Sequence, residues 1–197
     1  MEAWNQNLFL MLNAPAHPSN FMLLTGVFFA EYLIWIVPAL LVVGWLCQPE
    51  SIKKLLLEAA LVSVVALLIS ALIGSLWEHP RPFMIGLGHT LIYHAADASF
   101  PSDHMTLMWS VAFSLLFNQR TRTVGCVLAL LGLPVAWARI YLGVHSPIDM
   151  AGALAVAIAS AVLGLMLKKT VVEFLYGLIS TIYRWLFAPL IRRGWVK

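Results

Sequence analysis

Five apolar runs, at roughly 21–46, 55–77, 103–118, 123–142 and 147–167, are long enough to cross a bilayer as helices. A chain that is 61% hydrophobic and 11% charged cannot hide all its apolar side chains in one soluble core. The expected fold is therefore all-α: a polytopic membrane helix bundle of about five spanning helices. The connectors at 48–54, 119–122 and 143–146 are short, whereas 78–101 is long and carries His79, His89, His94 and Asp97. Without internal repeats, low-complexity tracts or linkers, residues 1–197 read as a single domain. Residues 3–12 form a short amphipathic stretch stopped by Pro15 and Pro18.

The segment 171–191 has the length of a sixth span, but Glu173, Gly177, Ser180 and Arg184 recur at helical spacing and make a polar stripe. That pattern suits a helix lying in the membrane interface, with a sixth span packed inside the bundle as the alternative. Lys53 and Lys54 follow the first span, Arg120 and Arg122 the third, and Lys168 and Lys169 the fifth; an interfacial tail adds Arg184, Arg192, Arg193 and Lys197. The distribution of charge says more than the formal sum of +3, since basic residues favour the cytoplasmic side. The N-terminus is accordingly expected outside. No basic stretch precedes an apolar one at the start, so the first span is expected to act as the insertion signal. Cys47 and Cys126 lack metal-ligand spacing and fall at cytoplasmic helix ends, where no disulfide is expected.

Only Arg81 and Arg139 remain among the lysines and arginines, and helix parity puts both at the outer face. Arg81 follows the second run, Ser102 and His104 open the third, Arg139 ends the fourth, and His145 and Asp149 flank the start of the fifth. Singly, each has an ordinary reading. Arg81 could snorkel to headgroups, Ser102 or Asp103 could cap a helix, His145 could be a loop histidine and Asp149 a cap. Jointly, two arginines on the side that basic residues avoid, beside two histidines, a hydroxyl and a carboxylate, suggest a bound anion.

The segments Arg81-Pro82, Pro101-Ser102-Asp103-His104 and Arg139 with His145 and Asp149 resemble the three signature motifs of the type 2 phosphatidic acid phosphatase superfamily, over roughly residues 74 to 149. The resemblance implies that His145 is the nucleophile of a phosphohistidine mechanism. Asp149, one helical turn on, would orient its ring and stabilise the developing imidazolium. His104 would be the general acid and then the base that activates water. Arg81, Ser102 and Arg139 would hold the phosphoryl oxygens. Arginines can neutralise that charge without a metal, so neither metal nor cofactor is expected.

Three positions depart from the family pattern. Gly74 stands where the first motif usually has lysine, and His79 or His89 is a candidate substitute. Asp103 replaces the usual glycine of the second motif and is expected to point away from the phosphate and favour the helix N-terminus. Ala138 replaces a serine. Separately, Glu31 is a lone carboxylate within the first run. It either pairs with Arg81, Arg139 or a loop histidine, or is protonated, or sits at the headgroups of a span that begins near Ala30.

Lacking a soluble cap domain, the chain offers a water-soluble substrate little to bind. A lipid phosphate or diphosphate, its tail left in the bilayer, is expected instead; a nucleic-acid partner is not. Length, spans and the Pro-Ser-Asp-His variant most resemble bacterial undecaprenyl-diphosphate phosphatases of the bacitracin-resistance type, which implies a site on the outer side of the inner membrane. A phosphatidylglycerophosphate phosphatase or a lipid phosphotransferase are alternatives within the same chemistry, and a non-catalytic lipid-phosphate carrier is one outside it.

Overall fold

The computed structural model describes residues 2–196, without the side chains of 167–170. Among the described residues every regular element is helical, with α-helices in the order α1 (Glu2–Leu12), α2 (Asn20–Val27), α3 (Ile36–Cys47), α4 (Glu50–Leu76), α5 (Asp103–Leu116), α6 (Arg122–Tyr141), α7 (Pro147–Leu186) and α8 (Ala188–Arg192). A π-helical turn, Phe28–Tyr32, and a 3-10 turn, Leu33–Trp35, join α2 to α3 in one run, Asn20–Cys47. Among the described residues, four stretches are long and apolar enough to cross a membrane: Asn20–Cys47, Glu50–Leu76, Arg122–Tyr141 and Pro147–Met166. The protein is a multi-pass membrane helix bundle.

The run expected at 103–118 is α5, which stands at the bundle's centre. α5 has 14 residues, about 21 Å at 1.5 Å per residue, against a hydrocarbon core of about 30 Å. It is packed against α4, α6 and α7, with Met105, Met108, Val111, Ala112 and Leu115 almost fully buried. Enclosed by protein, it has no need to reach the headgroups at either end. Lipid tails are as apolar as these side chains, so close packing rather than water exclusion joins the helices, and small residues permit it. A Cβ at Gly125 of α6 would stand 2.3 Å from the backbone nitrogen of Leu116, and one at Gly132 would stand 2.3 Å from Nε1 of Trp109. α6 thus rides directly on α5.

The tail differs from the expected separate helix at 171–191, because α7 continues unbroken to Leu186. The boundary read at 168–169 was a change of charge, not a helix stop; the side chains of Lys168 and Lys169, and Lys197, lie outside the described residues. The far part of α7 packs on the ends of α3 and α4. Lys54 bonds Glu173 at 2.7 Å and Glu50 at 3.0 Å, Lys53 lies 4.6 Å over the Tyr183 ring, and Trp45 meets Tyr176 and Tyr183. Glu173 of the polar stripe therefore serves this contact, while Arg184 bonds Ser180 within α7. Cys47 and Cys126 are free, exposed thiols.

At the opposite end, α1 forms where the amphipathic stretch predicts a helix, and it buries Asn5 and Phe9. Asn5 Oδ1 accepts from the backbone N–H of Ile148 at 3.0 Å, capping the start of α7. Asn13 donates to the carbonyls of His89 and Tyr141 and accepts from the His89 N–H. The long connector is thereby tied to the end of α6. Gly143, at φ +82°, makes the turn between α6 and α7, where a Cβ would lie 2.1 Å from the carbonyl oxygen of His89.

Candidate active site

The ends of α4, α5 and α6, the start of α7 and the connector 78–101 bring most of the expected residues together. His145 is 2% exposed and Asp149 is fully buried. Nδ1 of His145 lies 3.2 Å from Oδ2 of Asp149, and that oxygen also accepts from Ser99 Oγ at 2.5 Å and from the Ser146 N–H at 2.7 Å. On the other side of the ring, Arg81 Nη1 stands 3.1 Å from Nε2. A guanidinium only donates, so Nε2 is the acceptor and the proton is on Nδ1, directed at Asp149. Burial pushes the His145 pKa down to about 4; Asp149 opposes this and the charges of Arg139 and Arg81 add to it. The imidazole is neutral at pH 7, with its lone pair at Nε2.

Each arginine is held by several partners. Arg81 donates Nη1 to the Val144 carbonyl at 2.9 Å, Nη2 to that of Ala98 at 3.4 Å, and Nε to Asp97 at 2.8 Å. Burial works against ionisation of Asp97, but the hydrogen bond and charge of Arg81 prevail and hold its pKa below the usual carboxylate range. Arg139, 1% exposed, bonds Glu31 at 3.0 Å and His94 Nε2 at 2.9 Å. His94 accepts there and is kept neutral by burial and by the charge of Arg81. Among the partners open for Glu31, the structure selects Arg139, and the contact is made from the π-helical turn, a local widening common at functional sites.

Ser102 is fully buried at the N-cap of α5; its N–H bonds the Asp149 carbonyl at 3.3 Å, and its Oγ has no partner among the described residues. One turn on, Thr106 Oγ1 is likewise buried and unpartnered. His104, half-buried, lies within Coulombic reach of Arg139, His145, His94 and Arg81. Asp103 turns the other way as expected, accepting from Ser70 of α4 at 2.8 Å.

The two candidates for the absent lysine at Gly74 do not join the arginines. His89 is exposed and is tied to Asn13 through its backbone. His79 is buried beside Asp149, 3.7 Å from Oδ1, the oxygen turned away from the His145 hydrogen bond. Ala138 is fully buried in packing. Three residues join the site without having been assigned to it from sequence: Ser99, His94 and Asp97. Among the described residues, no cluster of three His, Cys, Asp or Glu is arranged to hold a metal ion.

This geometry has a family. The PAP2 superfamily profile matches residues 55–172, and the chain belongs to that superfamily. YbjG of Escherichia coli (strain K12), provisionally named an undecaprenyl-diphosphatase, is 36% identical over 197 residues, covering 100% of this chain and 99% of that protein. BcrC of Bacillus subtilis (strain 168), named undecaprenyl-diphosphatase, is 37% identical over 154 residues, 78% of this chain and 79% of that one. Among solved structures, Aquifex aeolicus LpxE shares the fold, with a TM-score of 0.70 and 20% identity over 83% of this chain and 95% of that one.

Proposed function

We propose that this protein hydrolyses undecaprenyl diphosphate to undecaprenyl phosphate and inorganic phosphate through a phosphohistidine at His145. The observation that carries the reading is the fixed tautomer: Nδ1–H faces Asp149 while the Nε2 lone pair faces Arg81. A merely binding site has no use for a neutral imidazole held in that way. Two relatives named for undecaprenyl diphosphate, similar over most of their length, support this substrate.

In the first step Nε2 attacks the terminal phosphorus in line. The N–P bond forms and the bond to the bridging oxygen breaks; that oxygen leaves with the lipid monophosphate and takes a proton from His104. Arg81 transfers its hydrogen bond from Nε2 to a phosphoryl oxygen, and Arg139 and Ser102 bind the others, so that charge is neutralised by preorganised donors. Asp149 keeps its bond to Nδ1–H and stabilises the imidazolium. In the second step His104 takes a proton from water, the hydroxide attacks phosphorus, and the N–P bond breaks to restore His145.

The basic residues at the α3–α4 end support a cytoplasmic orientation for that end. The catalytic end then faces the outer side of a bacterial inner membrane, where carrier lipid is released for reuse in cell-wall synthesis. The test is phosphate release by purified protein in detergent across undecaprenyl diphosphate, phosphatidylglycerophosphate and phosphatidic acid. We expect preference for the diphosphate, inhibition by vanadate, and undiminished activity in excess EDTA. A preference for either glycerolipid would reassign the substrate, and loss in EDTA reversed by magnesium would remove the arginine-only account.

A further inference from the structure

His79 has no part in the chemistry above, yet it is built into the site. Its ring is 9% exposed, packs edge-on against Trp77 with centroids 5.2 Å apart, and holds Nδ1 3.7 Å from Oδ1 of Asp149. Both of these atoms are buried without a hydrogen-bond partner among the described residues. The two carboxylate oxygens are thus unequal: Oδ2 has three donors, from His145, Ser99 and Ser146. An unsatisfied buried acceptor is costly, and Nδ1 of His79 faces Oδ1 across a gap that a small ring movement closes. The backbone adds a second link, because the His79 carbonyl accepts the Ser99 N–H at 2.8 Å, and Ser99 in turn donates to Oδ2. Nε2 of His79 points the other way, 3.8 Å from Oε2 of Glu2 in α1.

We propose that His79 is a positioning residue that donates Nδ1–H to Oδ1 of Asp149 and so locks the carboxylate that orients His145. It acts through Asp149 and touches neither the phosphate nor the leaving group; no bond is made or broken at it. The need is greatest when His145 becomes a phosphorylated imidazolium, since a bond at Oδ1 adds a second restraint on rotation of the carboxylate about Cβ–Cγ, which the donors on Oδ2 otherwise resist alone. Together with Arg81, two residues on, His79 then grips the His145–Asp149 pair from both ends. The inference rests on the reading of His145 as nucleophile.

The test compares three variants of the full chain in detergent on undecaprenyl diphosphate. Asparagine puts an amide donor where Nδ1 sits, glutamine puts it at the Nε2 position, and leucine removes it. His79→Leu and His79→Gln are expected to lower kcat by about tenfold with KM within twofold. His79→Asn should recover kcat to within about threefold of the wild type. Rates are normalised to the burst of phosphohistidine, so a partly unfolded sample still reports the rate per folded site. Wild-type kcat in His79→Leu, or an asparagine variant no better than leucine, would overturn the inference. A raised KM at unchanged kcat would do so too, by making His79 a phosphate ligand. His145→Gln, run alongside, reads the nucleophile assignment separately: activity there removes the parent reading, whereas its loss beside an unaffected His79→Leu removes only this one.

Discussion

The two ends of the bundle use cationic residues in opposite ways. At the α3–α4 end, Lys54 is 27% exposed and pairs with Glu50 and with a Glu173 that is 61% exposed, and Lys53 lies over aromatic faces. These contacts fasten the far part of α7. At the other end Arg139 and Arg81 are 1% and 6% exposed, and each is bonded both to a partly exposed carboxylate and to a histidine nitrogen. A solvated ion pair gains little, because water and counterions do much of the same work. A buried guanidinium aimed at an imidazole is costly to keep and is retained where an anion must bind. Partner, rather than charge or burial alone, separates the helix fastening from the proposed catalytic centre, since Lys53 is as buried as Arg81.

The comparison predicts unequal losses. His145→Gln removes the proposed nucleophile and should lower kcat on the order of 10⁵-fold or more, as loss of a catalytic nucleophile does. His104→Ala should cost roughly 10²–10⁴-fold, with phosphohistidine accumulating on an aryl phosphate whose leaving group needs little protonation. Rapid quench with labelled aryl phosphate distinguishes the two, and label surviving in His145→Gln would break the assignment. Arg139→Lys keeps the charge but loses the planar fork, and about 10²–10³-fold in kcat/KM is expected. Glu31→Gln, which spares the guanidinium, should cost about tenfold or less.

Much of this site was legible in the sequence because a membrane chain tolerates few polar residues: Arg81, Ser102, His104, Arg139, His145 and Asp149 stand out against apolar runs, and helix parity gathers them at one end. Ser99, His94 and Asp97 were not assignable, since their roles depend on the irregular path of 78–101, which no periodicity encodes. Glu31 was visible as a charge, but its partner follows from a π-helical turn that local sequence does not specify. α5 (Asp103–Leu116) nearly matches the run read at 103–118, but its enclosure by other helices was not legible. A helix enclosed by others shows the same hydropathy as one that spans lipid.

Acid titration sharpens the contrast further. Burial lowers the His145 pKa from 6.5 to about 4, so the folded state binds fewer protons than the unfolded chain between those values. The stability this group contributes is full above pH 6.5 and is lost as pH falls toward 4. Its ring resonances in labelled protein, assigned by their absence in His145→Gln, should titrate near pH 4; titration near 6.5 would mean a solvated ring. Orientation is read by cysteine labelling in a background lacking Cys47 and Cys126. Tyr93→Cys, at a position 95% exposed, should react with an impermeant thiol reagent outside intact cells, and Gln119→Cys should not. The reverse pattern would put the catalytic end in the cytoplasm.

The smallest effect belongs to the other end. Glu173→Gln removes the charge that Lys54 meets at 2.7 Å, but Lys54 keeps Glu50 at 3.0 Å. Exposed pairs of this kind contribute little to stability, so the melting temperature should fall only slightly, and kcat and KM should stay within about twofold. The pair lies at the opposite end of the bundle from His145, and nothing in the phosphoryl-transfer steps depends on where the far part of α7 rests. A tenfold fall in kcat at unchanged stability would mean that the tail is coupled to the catalytic end through α4 or α7. The division of labour between the two ends would then have to be given up.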